Sequence, residues 1–132
     1  MYVPGCRLRV EVMVQSTGQW LWAEYDNMNV ESENNYYRLH VTGYHGDAGD
    51  AFNDRQPTWQ ANGMQFSTPD VDNDRWPSGN CASGAKGGWW FNWCSSSKLN
   101  ARRQCWYSTP PPATTTPIRV DASRMMVQCG AV

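Results

Sequence analysis

The clearest hydrophobic pattern lies near the start of the chain. In Arg7-Leu8-Arg9-Val10-Glu11-Val12-Met13-Val14, Leu8, Val10, Val12 and Val14 share one side, with Arg7, Arg9, Glu11 and Met13 on the other. Successive side chains of a strand point to opposite faces, so this alternation predicts a half-buried strand. Ser16-Thr17-Gly18 reads as a turn and Gln19-Trp20-Leu21-Trp22-Ala23-Glu24-Tyr25 as a second strand, which makes a hairpin. The polar stretch 26–35 reads as a loop. Tyr36 to Tyr44 is rich in β-formers and reads as a third strand.

Past Gly46 the alternation fades. Asp47 to Phe52 reads as one short helical turn. Residues 53–105 combine many turn formers with most of the tryptophans, which predicts long ordered loops pinned by aromatic rings. Ser108 to Pro117 (STPPPATTTP) reads as a linker or an extended polyproline segment. Ile118-Arg119-Val120 and Met125-Met126-Val127 read as two closing strands. No internal repeat is visible. The expected organisation is one domain over all 132 residues: a sheet region at 7–52, a loop region at 53–107 and a C-terminal segment at 108–132.

Composition sharpens this picture. Eleven Gly, 8 Pro, 8 Trp and 6 Tyr favour a loop-rich β or α+β domain over a helical bundle. The net charge of −1 implies no general attraction to nucleic acid or to an anionic membrane. The one basic pair, Arg102-Arg103, reads as a solvated surface feature. No run approaches membrane-spanning length, so no membrane insertion is expected. Met1-Tyr2-Val3-Pro4-Gly5 lacks the apolar core of a signal peptide, so a secreted protein of this sequence would be part of a longer chain or would have lost its leader.

Five cysteines, Cys6, Cys81, Cys94, Cys105 and Cys129, are dispersed without a CxxC pair. This argues against a zinc ribbon and for disulfides made in an oxidising compartment. An odd count leaves one thiol free or paired between chains. One pairing joins Cys105 to Cys129 and leaves Cys6 for a link to another chain.

Candidate chemistry gathers in two places. Asp70, Asp72 and Asp74 alternate around Asn73, and calcium needs six to eight hard oxygen ligands. The EF-hand pattern is absent, since Arg75 and Cys81 stand where its Gly and bidentate Glu belong. The plain alternative is a solvated acidic turn. The second place is Gly87-Gly88-Trp89-Trp90-Phe91-Asn92-Trp93, enclosed by Cys81 and Cys94. A bridge between those cysteines would add about 3 kcal/mol in the chain-entropy view. Two glycines before two tryptophans suggest close backbone approach beside buried rings. Trp89 and Trp90 read as core, and Trp93 as an exposed ring suited to stacking on a sugar. His40 and His45 have no nucleophile motif near them and read as structural, so an enzyme is not expected.

Several motifs then stand in a fixed order: Tyr37-Arg38-Leu39-His40-Val41-Thr42-Gly43-Tyr44-His45-Gly46-Asp47-Ala48-Gly49-Asp50, Asn62-Gly63-Met64-Gln65-Phe66-Ser67-Thr68, Asp70-Val71-Asp72-Asn73-Asp74, Asn80-Cys81-Ala82 and Gly88-Trp89-Trp90 through Cys94 to Leu99-Asn100. Together they resemble the fibrinogen-like C-terminal domain family over residues 8–100. The resemblance implies an α+β fold: a short mixed or antiparallel β-sheet with few short helices, followed by a loop-rich calcium-binding recognition subdomain. It implies Ca2+ held by the side chains of Asp72 and Asp74 and by carbonyls of Trp76 and of Ser78 or Gly79, with Asp70 peripheral. It also implies a Cys81–Cys94 disulfide and a cis Trp93-Cys94 peptide. The N-terminal subdomain of the family is missing.

Departures from the family pattern fall on its acetyl-binding pocket, where Ser95 replaces a common His and Ala85 a common aromatic residue. The expectation is a secreted, calcium-dependent pattern-recognition lectin of innate immunity. Its partners would be acetylated sugars or microbial glycans such as peptidoglycan or lipopolysaccharide. Asn92, Trp93, Cys94 and Ser95 would form the contact edge, with Trp106 or Tyr107 as a wall. The alternative is a protein-binding module of the fibrin or angiopoietin kind, and an unpaired cysteine would allow an oligomer.

Overall fold

A computed structural model describes residues 5–106 and 118–130. Six strands form one sheet: β1 (Arg7–Val14), β2 (Trp20–Val30), β3 (Leu39–Gly46), β4 (Ser97–Lys98), β5 (Cys105–Trp106) and β6 (Ile118–Gln128). Their order is β3-β2-β1-β6-β5-β4, and every strand pairing among the described residues is antiparallel. Among the described residues, one short helix, α1 (Cys81–Ala85), and three 3-10 turns at Glu33–Asn35, Ala51–Asn53 and Pro57–Trp59 accompany the strands.

The alternation read in β1 puts Leu8, Val10 and Val12 in the core. Ala23 and Tyr25 of β2, Leu39 and Val41 of β3 and Val120 of β6 join them. Rings from the loop region cover this face. Phe52 lies 5.3 Å from Tyr25, 5.2 Å from Trp106 and 6.0 Å from Trp89, centre to centre. The other face is polar and wet. There the Arg9 guanidinium sits over the Trp22 ring at 4.7 Å and that of Arg124 over Trp20 at 4.3 Å. Glu11 accepts a hydrogen bond from Arg9 and forms an ion pair with Arg124.

The structure corrects three strand boundaries. β2 continues to Val30 through the stretch expected to be a loop, because Asn27, Met28, Asn29 and Val30 pair with Thr42, Val41, His40 and Leu39. β3 starts at Leu39, since Tyr36 and Tyr37 take left-handed backbone conformations with φ of 49° and 57°. The two expected closing strands are one strand, β6, paired with β1 from Arg7↔Gln128 to Met13↔Ala122. For β2 and β6, ladder hydrogen bonds to a neighbour outweigh local polarity; for β3, the left-handed pair ends the strand.

The cysteine pairing is corrected as well. Cys6 is bonded to Cys129, and Cys105 is the free thiol, buried in β5. The β1–β6 register decides this by setting the start of one strand opposite the end of the other. The bridge closes a loop with a sequence separation of 123 residues, worth about 5 kcal/mol in the chain-entropy view. With Cys6 paired and Cys105 buried, no described cysteine is exposed and free for a link between chains. No described helix is long and apolar enough to cross a membrane. The proline-rich stretch 108–117 lies outside the described residues.

Candidate recognition site

The acidic loop is fastened to the core at its start. Ser67 and Trp89 exchange backbone hydrogen bonds at 2.9 and 3.1 Å. Thr68 and Val71 exchange a second pair, and the Thr68 hydroxyl donates to Asp70 Oδ1 at 2.7 Å. Asp70 is thereby turned back onto its own loop. Asn73 donates its backbone N–H to Ser67 Oγ and its amide to the Phe66 carbonyl, both at 2.9 Å.

The two remaining aspartates sit together. Asp72 Oδ1 accepts the backbone N–H of Asp74 at 3.2 Å. Asp74 accepts two backbone donors, Trp76 on Oδ1 at 2.9 Å and Cys81 on Oδ2 at 2.8 Å. Partial burial pushes the Asp74 carboxyl above the usual range, and the neighbouring Asp72 carboxylate adds to this against the two N–H donors. Asn80 caps α1 by accepting from Ser83 N–H at 3.0 Å and donates to the Pro69 carbonyl at 3.1 Å.

The loop enclosed by Cys81 and Cys94 is bonded to the acidic loop. Cys81 and Cys94 are disulfide-bonded. Asn92 is 4 % exposed, and its amide donates to the carbonyls of Pro57 and Gln60 at 2.9 and 3.1 Å. The Asn92 carbonyl accepts from Arg75 N–H at 3.0 Å, which ties the segment before Cys94 to the acidic loop. Trp93 N–H donates to the Thr58 carbonyl, and Ser96 N–H to that of Trp59. The buried Ser96 hydroxyl donates to Asp54 at 2.6 Å. On this pinned backbone the Trp93 side chain stands out, 47 % exposed. Trp59, on the adjoining 3-10 turn, is 38 % exposed.

The glycine pair before the tryptophans has a steric reason. A Cβ on Gly87 would lie 1.8 Å from the Asn100 carbonyl oxygen, and one on Gly88 would lie 2.8 Å from the Phe66 ring. Trp89 is buried in the core, while Trp90 is half-buried and donates its indole N–H to the Tyr37 carbonyl at 2.8 Å.

Among known proteins, the family model for the C-terminal globular domain of fibrinogen beta and gamma chains matches residues 4–110. The chain belongs to this family. Mouse angiopoietin-related protein 2 is 47% identical over 78 residues, covering 59% of this chain and 14% of that protein. The fibrinogen-like globe domain of human ANGPTL6 superposes with a TM-score of 0.73 at 29% identity, over 97% of this chain and 58% of that one. Lamprey fibrin D-dimer, complexed with the peptide ligand Gly-His-Arg-Pro-amide, superposes at 0.66 and 32% identity, over 84% of this chain and 36% of its own. The chain thus spans only part of the length of each.

Within this fibrinogen-like frame the expected site residues separate. Asp72 and Asp74 lie side by side, and the backbone of Trp76, Ser78 and Gly79 follows in the same loop. Among the described residues no group of three or more His, Cys, Asp and Glu side chains is arranged to hold a metal. A cation here would therefore rest on two carboxylates and backbone carbonyls, a hard oxygen set that suits calcium and not a softer metal.

Of the expected contact edge, Trp93 is exposed and Cys94 and Ser95 are half-buried. Asn92 is a buried strut for that edge. Trp106 is corrected: its ring is fully buried in the sheet core and its indole donates to the Gly49 carbonyl at 2.9 Å, so it forms no wall of a surface pocket. Its neighbour Cys105 pairs with β4 and β6, which draws Trp106 inward. Tyr107 lies outside the described residues. Sequence reasoning missed Trp59, which carries no local signal; only the hydrogen bonds from residues 93 and 96 bring its turn to the site.

Proposed function

We propose that this chain is an extracellular, calcium-braced recognition module that binds a protein or peptide segment at the edge around Trp93. The observation that carries this reading is a large exposed ring on an immobilised backbone. Trp is a preferred anchor of protein interfaces, and a pre-ordered anchor loses little entropy on binding. The likeness to angiopoietin-related protein and to a fibrin solved with a peptide ligand supports a protein or peptide partner. Two disulfides suit a secreted protein.

Asp72 and Asp74, with carbonyls of Trp76 and of Ser78 or Gly79, would hold the calcium ion. The ion would offset the repulsion between the two carboxylates. The Arg75–Asn92 hydrogen bond then carries loop order to the Trp93 edge.

A lectin for acetylated sugars is the second reading, favoured by a solvent-facing ring beside Cys94. Ser95 and Ala85, in place of the family's usual pocket side chains, weigh against it. The test is a displayed random-peptide library and a glycan array, each with and without chelator. Peptides that bind the wild type and lose binding to Trp93→Ala support the proposal. No enriched peptide, or equal enrichment on the variant, overturns it. Chelator-sensitive glycan binding without peptide binding assigns the site to sugar.

A further inference from the structure

We infer that a cleft between the end of α1, the 98–103 segment and β6 binds a sulfated glycosaminoglycan chain. Lys86, Lys98, Arg102, Arg103 and Arg119 line this cleft of about 630 Å³. The rest of its lining is Gly84, Ala85 and Ala101, with no carboxylate. Five of the 11 basic residues meet here, although the chain as a whole is slightly acidic. Net charge conceals such a patch.

Local structure builds the cluster. Lys86 takes the left-handed C-cap position of α1. Arg102 N–H donates to the Ala85 carbonyl at 3.0 Å, which clips the 98–103 segment to the helix end. The missing side chain of Gly87 lets the Asn100 carbonyl close the same joint. Across the sheet, Lys98 pairs with Cys105 and Cys105 with Arg119. Lys98 and Arg119 therefore occupy one row, two strand spacings or about 10 Å apart.

None of the five makes an ion pair among the described residues, whereas Arg7, Arg9, Arg38 and Arg124 all do. The stretches 1–4, 107–117 and 131–132 contain no Asp or Glu that could neutralise them. Asp121 belongs to the adjoining cleft, which shares Arg102, Arg103 and Arg119. Clustered like charges repel one another, and an anion that threads them relieves this. Guanidinium forks match the paired oxygens of a sulfate. Five cations, with Lys98 and Arg119 about 10 Å apart across the sheet, suit a repeating polyanion better than one small ion. In the oxidising compartment that the disulfides indicate, that polyanion is a sulfated glycan. The inference is independent of the Trp93 reading, since no residue of 92–95 lines the cleft.

The test is binding to immobilised heparin with chelator present, which separates it from the calcium-braced edge. Wild type should bind at low salt and weaken steeply as salt rises. Arg102→Ala/Arg103→Ala should bind about tenfold more weakly or worse. Arg7→Ala/Arg55→Ala, with the same charge loss elsewhere, should bind like wild type. Circular dichroism confirms that both variants fold. No retention of wild type at low salt overturns the inference, as does equal loss in the two double variants. Polyglutamate, desulfated heparin or phosphatidylserine vesicles bound as tightly as heparin would also overturn the sulfated-glycan assignment.

Discussion

Asp74 accepts the backbone N–H of Cys81 at 2.8 Å, so the acidic loop is bonded to the first half of the Cys81–Cys94 bridge. The same carboxylate satisfies Trp76 N–H with its other oxygen. Asp74→Ala leaves both donors without an acceptor and should cost about 1–3 kcal/mol in denaturant unfolding. Asp74→Asn keeps one acceptor oxygen and should lose less. An unchanged midpoint for the alanine variant would show that the loop needs no such anchor.

Gly87 faces the Asn100 carbonyl so closely that a methyl group has no space, with 1.8 Å between the atoms. Relief requires backbone movement of the 98–103 segment. Gly87→Ala should therefore destabilise the domain by about 1–3 kcal/mol, as overpacking commonly does. Gly84 serves as the control, because an added methyl group there would meet nothing within 4 Å. Equal midpoints for Gly87→Ala and Gly84→Ala would contradict the steric argument.

Burial pushes the Cys105 thiol above its ordinary 9.0, although Lys98 and Arg119 pull the other way. Thiolate is the reactive form, so the native protein should resist iodoacetamide near neutral pH. Unfolding in denaturant without reductant should expose one alkylatable thiol, located by peptide mapping at Cys105. Labelling of Cys6 or Cys129 instead would refute the pairing between them.

Glu31 and Asp26 supply an acid limb to stability. The hydrogen bond from His40 holds the Glu31 carboxyl below its ordinary 4.5, and that from His45 holds Asp26 below 3.8. A carboxyl lowered in the folded state stabilises the fold above its unfolded pKa and loses that contribution as pH falls through the folded one. The thermal midpoint should therefore drop as pH falls below 4.5, and Glu31→Gln should show a shallower drop. Identical pH profiles for the variant and wild type would remove Glu31 from the account.

Sequence alone determined the parts that repeat locally or stand in a fixed order. Alternation in β1 named Leu8, Val10 and Val12 as core because a strand's period of two is a local property. The ordered motifs from Tyr37 to Asn100 named the family, and the glycines before Trp89 announced close packing. Only the tertiary structure decided which polar stretches become strand, since Asn27 to Val30 are ordered by pairing with β3. It also decided that Cys6 meets Cys129, because a contact across 123 residues depends on the β1–β6 register. The same holds for Trp106, drawn into the core by Phe52, and for the basic cleft, where the fold brings Lys86 and Arg119 to the local cluster of Lys98, Arg102 and Arg103.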